Sequence, residues 1–465
     1  MTDVILVNPP HEFPKTSERG HRKKGYVLYP PLGILYLAAV LKREGYSVKI
    51  IDAVADGSSQ EDICHDVGES GARLIGISMT TAQTRGALSL AGGLRERFGD
   101  GITIGIGGPH PTADPGFVER FPVFDFAVVG EGETIFPEIV ARVMKGESVR
   151  GSFQGTSPPD LDALPFPERS LIDPSLYYIE PYGRYIANIH TARGCPFNCV
   201  FCSKPVGKRS VKYRSPENIL AEIEYCIREF DIKYVLFTDD TFTLDMERAA
   251  LICEEILRRG IRLTWACETR AELVDRPLLE LMRRAGCHEI SMGVESGSEY
   301  IRQHVIRKRV SDKHLISAFA ECHRLGIDAN AFCMLGFPGE TRENMLETMN
   351  FIRRIKPELV GVHLTVPFPG SDIYRQAMAE GKISGDAWDA YARGEISGQP
   401  VYVPDGFTRE RLEEMQKYVY RKYYYRPGYI WHRLRRDLFS WNSLNRDVRL
   451  GLELFQRAGT KTGRP

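Results

Sequence analysis

The chain has 465 residues, which corresponds to about three domains of average size. Hydrophobic residues make up 43% and charged residues 26% of it, a globular composition that excludes a disordered chain, a collagen-like repeat and a small disulfide scaffold. The 61 Lys and Arg residues balance the 61 Asp and Glu residues, whereas a dedicated nucleic-acid-binding protein usually has a basic excess. No apolar run reaches the roughly 18–20 residues that cross a bilayer, and the N-terminus does not resemble a signal peptide. We therefore expect a cytoplasmic protein with no nucleic-acid partner.

The first 150 residues alternate short apolar runs with amphipathic stretches. The apolar runs predict buried strands over 4–7, 48–51, 74–78, 102–106 and 126–129. The amphipathic stretches predict helices over 32–43, 60–69, 83–97 and after residue 133. This alternation is typical of a parallel sheet with helices on both faces, and we expect the five-stranded flavodoxin-like strand order with right-handed crossovers.

Small and polar residues follow most of these predicted strands. They are Asn8-Pro9-Pro10, Asp52, Ser78-Met79-Thr80-Thr81, Gly107-Gly108-Pro109-His110 and Gly130-Glu131-Gly132-Glu133. Parallel sheets of this kind bind ligands at the carboxyl ends of their strands, and glycines there let a large ligand approach the backbone. Ordinary turn formation is the alternative explanation of these glycines.

A second alternating series follows a Pro-rich stretch over 151–185, which we interpret as a linker. Strands are predicted over 185–190, 234–237, 263–268, 289–294, 328–335 and 359–366, and helices over 216–229, 246–259, 277–285 and 313–325. Six units are too few for a closed eight-stranded barrel, so we predict an open, partial (β/α)6 barrel over 186–400. In such barrels the active site lies at the carboxyl ends of the strands.

Three of the ten cysteines, Cys195, Cys199 and Cys202, lie together after the first predicted barrel strand. The other seven are single residues of apolar segments, where a cysteine is usually a small buried hydrophobe. A structural zinc site normally has four ligands, and no fourth Cys or His follows at the expected spacing. Three thiolates on a cubane iron–sulfur cluster, which four thiolates usually hold, would leave one iron open to a small molecule. A zinc site that borrows a distant ligand is the alternative.

This C-x3-C-x2-C loop resembles that of the radical S-adenosylmethionine (radical SAM) superfamily. The resemblance implies that the cysteines hold a four-iron four-sulfur cluster, whose open iron binds S-adenosylmethionine, and that Phe201 packs near the adenine. It also implies reductive cleavage of S-adenosylmethionine and a reductant such as flavodoxin or ferredoxin. In such enzymes the cofactor carries the difficult chemistry and the protein positions it.

The ends of the later barrel strands resemble further segments of this family. Asp239 and Asp240 correspond to the region that contacts the methionyl ammonium, although they could instead cap the next helix. Glu268 and Arg270 correspond to ribose and carboxylate contacts, with a surface ion pair as the alternative.

Two more strand ends complete the predicted S-adenosylmethionine site. Glu295, between glycines, resembles the ribose-binding acid, and Gly336 begins a segment similar to the adenine-side loop. A simple turn before a helix is the alternative for the second segment. The motifs stand in the family's order behind the cysteine loop, and this order supports the resemblance.

The N-terminal half resembles the cobalamin-binding domain found ahead of many radical SAM barrels. The resemblance implies cobalamin contacts by Ser78, Thr80, Thr81, Gly107, Gly108, His110, Gly130 and Glu131. The Asp-x-His-x-x-Gly signature that supplies a cobalt-ligating histidine is missing, so we expect no such ligand, and we expect His110 to touch the corrin edge or to pack within its loop. A degenerate domain without cobalamin is the alternative. A methylthiotransferase is disfavoured, because only Cys64 precedes Cys195.

The C-terminal region, 401–465, is predicted to be helical, and its final residues 459–465 to be frayed. Tyrosines alternate with Lys and Arg between residues 417 and 436. This pattern suits peripheral contact with an anionic membrane or a large anionic substrate. We favour a helix that packs its tyrosines over the open barrel and leaves its basic groups in water.

Together these features predict a radical SAM enzyme that functionalises an unactivated carbon of a small-molecule or lipid substrate. We favour cobalamin-dependent C-methylation. Oxidative cyclisation or rearrangement, as in the anaerobic porphyrin-cyclase branch, is the first alternative, and a non-catalytic iron–sulfur or corrinoid carrier is the second. The sequence does not identify the residue that exchanges a proton or hydrogen with the substrate.

Overall fold

A computed structural model describes residues 2–14, 16–18, 28–179, 183–203 and 210–437. The strands are β1 (Val4–Asn8), β2 (Val48–Asp52), β3 (Leu74–Ser78), β4 (Thr103–Gly107), β5 (Phe126–Val129), β6 (Gly151–Gln154), β7 (Tyr178–Ile179), β8 (Gly183–Arg184), β9 (Ile186–Ile189), β10 (Ala192–Arg193), β11 (Lys212–Tyr213), β12 (Tyr234–Phe237), β13 (Thr264–Thr269), β14 (Cys287–Glu295), β15 (Asp328–Leu335) and β16 (Val360–Leu364). The helices are α1 (Leu32–Arg43), α2 (Ala53–Asp56), α3 (Gln60–Ser70), α4 (Thr84–Phe98), α5 (Pro109–Ala113), α6 (Phe117–Arg120), α7 (Phe136–Met144), α8 (Pro216–Phe230), α9 (Met246–Arg258), α10 (Arg276–Arg284), α11 (Asp312–Leu325), α12 (Arg342–Ile355), α13 (Asp372–Ala379), α14 (Ala387–Arg393), α15 (Arg409–Tyr424) and α16 (Pro427–Asp437).

The first sheet is parallel and has the order β2-β1-β3-β4-β5-β6. Its first five strands confirm the predicted flavodoxin-like order, and separate apolar clusters cover its two faces. The sixth strand, β6, lies in the stretch interpreted as a linker, so the sheet extends to Gln154. Its four residues alternate between partly buried and exposed positions, which is why no apolar run marked it.

The second sheet consists of β9, β12, β13, β14, β15 and β16, all parallel and in chain order. The largest apolar cluster lies between this sheet and the helices that pack against it. The sheet stays open after six strands, which confirms the predicted partial (β/α)6 barrel. None of the described helices is long and apolar enough to cross a membrane.

Helix α15 covers the open edge of the barrel with tyrosine hydroxyls. The Tyr424 hydroxyl accepts from the Val360 amide at 2.8 Å and donates to the Val360 carbonyl at 3.0 Å. The Tyr420 hydroxyl does the same for Val362, at 2.9 Å and 3.1 Å. Because an uncovered edge strand leaves such groups unpaired, these contacts agree with the favoured role of the tail tyrosines. The stretch 459–465 lies outside the described residues.

Buried polar contacts fix the segment between the two sheets. Glu222 is fully buried and pairs with Arg169 at 2.8 Å and with Arg214 at 2.5 Å. The Tyr177 hydroxyl donates to Asp52 Oδ2 at 2.7 Å, which joins this segment to the end of β2. The two sheets are therefore held in a defined relative position.

Candidate active site between the two sheets

A cavity of about 720 Å³ lies where the carboxyl ends of the two sheets face each other. From the first sheet it is lined by the predicted cobalamin residues Ser78, Thr80, Gly107, Gly108, Gly130 and Glu131. From the barrel it is lined by His190, Arg193, Cys202 and Asp240, among others. The structure thus brings parts of both predicted cofactor sites to one space.

Two predicted cobalamin residues, Thr81 and His110, do not line this cavity. Both are buried, with His110 Nδ1 3.1 Å from Thr81 Oγ1 and its ring packed edge-on against Phe117. Burial lowers the pKa of His110 to about 4, so the imidazole is neutral at pH 7. Of the two roles expected for His110, packing within its loop is the one seen here, because its ring fills an apolar layer behind the strand ends.

The glycines at the cavity differ in whether the backbone and its packing require a glycine. Gly108 and Gly130 have φ of +99° and +92°, and a Cβ there would lie 3.1 Å from the Met79 carbonyl and 2.9 Å from the Gly155 carbonyl. Turn formation therefore explains both. At Gly107 the nearest atom to an added Cβ is 3.9 Å away, so no packing contact requires glycine there. Gly107, which lines the cavity, therefore stays a predicted position for close approach of a large ligand.

The cysteine loop leaves β9 and is fixed to two neighbouring segments. The Val200 amide donates to the Ile306 carbonyl at 3.1 Å, and the Ile373 amide donates to the Val200 carbonyl at 3.0 Å. Phe201 packs near Phe337, with ring centroids 6.3 Å apart. These contacts fix the loop next to a small, separate apolar cluster, against which Phe201 packs.

The three cysteines of the loop differ in exposure, and their sulfurs do not converge closely. Cys195 and Cys199 are partly exposed, Cys202 is exposed, and all three are free thiols. Two sulfurs on one zinc ion, each at about 2.3 Å, lie no more than about 4.6 Å apart. Within the described ranges, the only three His, Cys, Asp or Glu residues whose ligand atoms all lie within 4.8 Å of one another are an exposed trio on α3. The three sulfurs of the loop therefore do not all lie within 4.8 Å of one another.

Arg270 lies against the cysteine loop, not on the surface. Its Nη1 is 3.7 Å from Cys199 Sγ, and its guanidinium carbon is 3.7 Å from the centre of the Phe197 ring. It also pairs with Glu272 at 2.6 Å and donates to the Lys308 carbonyl. Burial raises the pKa of the Cys199 thiol, while Lys308 and Arg270 oppose that effect. The pKa stays raised overall, and the two cations reduce the effect of burial.

Glu295 forms a buried ion pair with Lys308 at 2.7 Å. Its backbone is left-handed, with φ of 62°. A Cβ at Gly293 would overlap both charged groups, so the glycine is required by the pair itself. No motif marked Lys308, which lies in a loop 13 residues after Glu295.

The adjacent aspartates Asp239 and Asp240 lie in different surroundings. Asp239 is buried and accepts from the amides of Thr191 at 2.6 Å and Ala192 at 2.9 Å. Its carboxylate thus shapes the start of the cysteine loop, which does not match the predicted S-adenosylmethionine contact. Asp240 is exposed and lines the cavity. The capping alternative is wrong for both, because Asp245 caps α9.

Acidic groups also lie inside the barrel. Glu268 is on the opposite face of β13 from the core residues Trp265 and Cys267, and burial together with nearby Asp240 raises the pKa of its carboxyl. Tyr29, which reaches this region from the N-terminal half, has a pKa raised to about 12 by burial and by nearby Glu289 and Glu268. Tyr29 itself lines the cavity.

Gly336 belongs to a loop organised by Glu340. The amides of Gly336 and Phe337 donate to Glu340 Oε2 at 2.7 Å and 3.0 Å. Burial raises the pKa of Glu340 to about 7, and within the described part of the chain its other oxygen has no hydrogen-bond partner. Sequence reasoning missed Glu340 as the residue that shapes the adenine-side loop.

His190 is a second residue that sequence reasoning missed. It directly follows β9 and lines the cavity. Burial and the nearby cation Arg193 lower its pKa to about 4, so a neutral imidazole faces the space between the sheets. Its place at a strand end was the only sequence signal.

Comparisons with known proteins agree with this site. Residues 189–352 match the Radical SAM superfamily, and residues 23–140 match the B12 binding domain. An uncharacterized methyltransferase of Pyrococcus horikoshii is 29% identical over 98% of this chain and 99% of its own. The anaerobic magnesium-protoporphyrin IX monomethyl ester cyclase of Rubrivivax gelatinosus is 25% identical over 88% of this chain and 76% of its own.

Two solved structures share the fold. The radical S-adenosylmethionine methyltransferase TsrM of Kitasatospora setae, with cobalamin and a [4Fe-4S] cluster, aligns with a TM-score of 0.63 at 18% identity, over 82% of this chain and 75% of its own. The cobalamin-dependent enzyme OxsB aligns with a TM-score of 0.62 at 20% identity, over 87% of this chain and 58% of its own.

The fold and the matched domains define an enzyme with a B12-binding domain ahead of a radical SAM barrel. The chain carries a B12-binding domain followed by a radical SAM domain, and its homologues are cobalamin-dependent radical SAM methyltransferases and magnesium-protoporphyrin cyclase-like enzymes. Its cofactors are accordingly a four-iron four-sulfur cluster, S-adenosylmethionine and cobalamin. These matches favour an enzyme over the non-catalytic carrier and support cobalamin in the front domain.

Proposed function

We propose that the chain is a cobalamin-dependent methyltransferase that acts on an unactivated carbon of a small-molecule or lipid substrate. The observation that carries this proposal is the shared cavity, which Gly107 lines from one side and Cys202 and Asp240 from the other. A methyl donor and a hydrogen-abstracting group must both reach the same substrate carbon, so their binding sites need a common space. The full-length similarity to a methyltransferase supports the same reaction.

The residues then have separate tasks. Cys195, Cys199 and Cys202 hold the cluster, and Arg270 keeps the loop's sulfur region cationic. When bound, the cluster with S-adenosylmethionine supplies the radical, and the corrinoid supplies the methyl group. Asp240 accepts from the methionyl ammonium, since a carboxylate and an ammonium form a strong charge-assisted hydrogen bond.

The remaining predicted contacts hold the nucleoside part. Glu295, already polarised by Lys308, accepts from a ribose hydroxyl, and Gly336 offers backbone groups to the adenine in the loop that Glu340 fixes. Glu268 faces the substrate space within the barrel. The reductant is a flavodoxin- or ferredoxin-like protein, because the cluster needs one external electron for each cleavage.

A labelling experiment tests the reaction without a known substrate. The anaerobically reconstituted protein, with hydroxocobalamin and a chemical reductant, receives S-adenosylmethionine deuterated in its methyl group. We expect 5′-deoxyadenosine together with deuterium in the corrinoid fraction. Cys195→Ala should abolish 5′-deoxyadenosine formation, and Cys64→Ala, which alters a buried thiol far from the loop, should not.

Oxidative cyclisation is the second candidate, favoured by the similarity to the magnesium-protoporphyrin cyclase over most of the chain. The labelling experiment described above distinguishes cyclisation from methyl transfer. Formation of 5′-deoxyadenosine without any label in the corrinoid fraction contradicts methyl transfer and favours cyclisation or rearrangement. Absence of 5′-deoxyadenosine in the wild-type protein contradicts both candidates.

A further inference from the structure

A buried ion pair connects the two loops that face each other across the cavity. Arg193, two residues before the first cluster cysteine, pairs through Nη1 with Glu131 at 2.5 Å and through Nη2 with Glu133 at 2.7 Å. Both glutamates follow β5 in the B12-binding domain, and both are buried. One guanidinium therefore spans from the cysteine loop to the glycine-rich loop.

The surroundings of Arg193 hold this contact in place. Its guanidinium carbon lies 5.1 Å from the centre of the Tyr36 ring. Although burial opposes it, Glu133 and Glu131 raise the pKa of Arg193, so the group stays charged. Removing one partner of a buried pair leaves a buried charge uncompensated, so the contact resists rearrangement.

Backbone hydrogen bonds hold both of the loops that the Arg193 ion pair connects. The Gly130 amide donates to Thr112 Oγ1 at 2.9 Å, and the Gly155 amide donates to the Val129 carbonyl at 2.8 Å, which fixes the loop that carries the glutamates. Arg193 itself is paired with Lys212 in the β10–β11 hairpin. A shift of either loop is thereby transmitted to the other.

We propose that Arg193 is a positioning residue that couples the corrinoid-binding loop to the cluster-binding loop. This inference rests on the proposed function, because it needs both cofactors. Occupation of one site then changes the affinity of the other, and linkage makes the effect equal in both directions. The role expected for Glu131 changes accordingly, from a cobalamin contact to a partner of Arg193.

The test compares the Kd of hydroxocobalamin, from absorbance titration, in protein with and without reconstituted cluster. In the wild-type protein we expect the two values to differ by roughly fivefold or more. In Arg193→Gln the two Kd values should agree within about twofold. Arg193→Lys should restore part of the difference, because lysine keeps the positive charge but lacks the bidentate geometry of a guanidinium. Circular dichroism and thermal unfolding check the fold of each variant.

A matched control is Arg120→Gln. Arg120 also bridges the two halves of the chain, to Asp389 at 2.6 Å, but it does not line the cavity. Its removal should preserve the difference between the two Kd values. If Arg193→Gln does not fold, the double variant Glu131→Gln with Glu133→Gln replaces it, with the same expected loss.

Three outcomes overturn the inference. They are equal Kd values in the wild-type protein, an unchanged difference in Arg193→Gln or its replacement, and the same loss in Arg120→Gln. A wild-type protein that takes up neither corrinoid nor cluster contradicts the proposed function instead, so the two failures are distinguishable.

Discussion

At the scale of single residues, residues adjacent in sequence have different roles at this site. Asp239 accepts from two backbone amides and shapes the cysteine loop, whereas Asp240 faces the cavity. Arg270 and Lys308 also differ in their contacts, since Arg270 lies 3.7 Å from Cys199 Sγ and Lys308 pairs with Glu295. Chemistry at this site therefore depends on supporting contacts as much as on the groups that touch the cofactors.

The two aspartates give a paired prediction. Asp239→Asn should lower the free energy of unfolding by about 1–3 kcal/mol, because a buried acceptor of two amides is weakened. Asp240→Asn should change it by less than about 0.5 kcal/mol, as a substitution at an exposed position usually does. The second variant should instead weaken S-adenosylmethionine binding by about tenfold, the value of one charge-assisted hydrogen bond. Urea unfolding and isothermal titration measure the two effects, and equal behaviour of the variants would refute the assignment.

Gly107 offers a test of the corrinoid cradle. Gly107→Leu puts a side chain into the cavity without an initial backbone clash, so cobalamin binding should weaken by about tenfold or more. Gly92→Leu, on the exposed side of α4, also meets no atom within 4 Å and serves as the control. Absorbance titration with hydroxocobalamin measures the affinities. Unchanged binding in Gly107→Leu would show that the corrin does not approach this strand end.

The raised pKa of Asp52 makes the stability of the fold depend on pH. Burial raises its pKa from 3.8 to about 6, although Tyr177 and Asn8 donate hydrogen bonds to it and partly oppose the shift. The folded state therefore holds the proton more tightly than the unfolded state, and ionisation costs stability as the pH rises from about 4 to about 6. The cost is about 3 kcal/mol.

The variant Asp52→Asn should lose this dependence. Relative to the wild-type protein, its free energy of unfolding should rise by about 3 kcal/mol between pH 4 and pH 7. Urea unfolding of both proteins at several pH values measures the difference. A difference that stays constant or falls with pH contradicts a raised pKa.

At the scale of elements, the tyrosines of α15 complete the barrel's edge strand. The double variant Tyr420→Phe with Tyr424→Phe removes the hydroxyl partners of three backbone groups of β16 and leaves the Val362 carbonyl with Gln416 Nε2 alone, so it should destabilise the fold by about 2–4 kcal/mol. The uncovered edge should also promote association of the protein. Tyr418→Phe, on the same helix but without a described bond to β16, is the control. Unfolding curves and light scattering measure both effects, and a double variant as stable as the control would contradict the role of α15.

The same scale shows what the sequence could and could not predict. Apolar runs marked the buried parallel strands, because strands covered on both faces contain little else. The edge strand β6 has only Phe153 as a large apolar residue, so its pattern resembled a linker. Strand ends marked residues that line the cavity, but no motif encodes the pairs Arg193–Glu131 and Lys308–Glu295, whose partners are 62 and 13 residues apart. The sequence predicted the loop that carries His110. The direction of its ring depends on packing against Phe117, which no sequence pattern shows.

At the scale of the whole molecule, two parallel sheets present their ligand-binding edges to one cavity. The ion pairs of Arg193 and the buried contacts of Glu222 hold the sheets in this arrangement. The fold thereby brings strand ends of the first sheet and Cys202 of the cysteine loop to the walls of a single space.

The most direct test of this arrangement is an anaerobic crystal structure of the protein reconstituted with iron, sulfide, hydroxocobalamin and S-adenosylmethionine, with metals identified by anomalous scattering. We expect cobalt beside the strand end at Gly107 and a four-iron cluster on Cys195, Cys199 and Cys202, with S-adenosylmethionine on its fourth iron. Zinc in the cysteine loop, a fourth side chain on the cluster, or cobalamin outside the shared cavity would contradict the account.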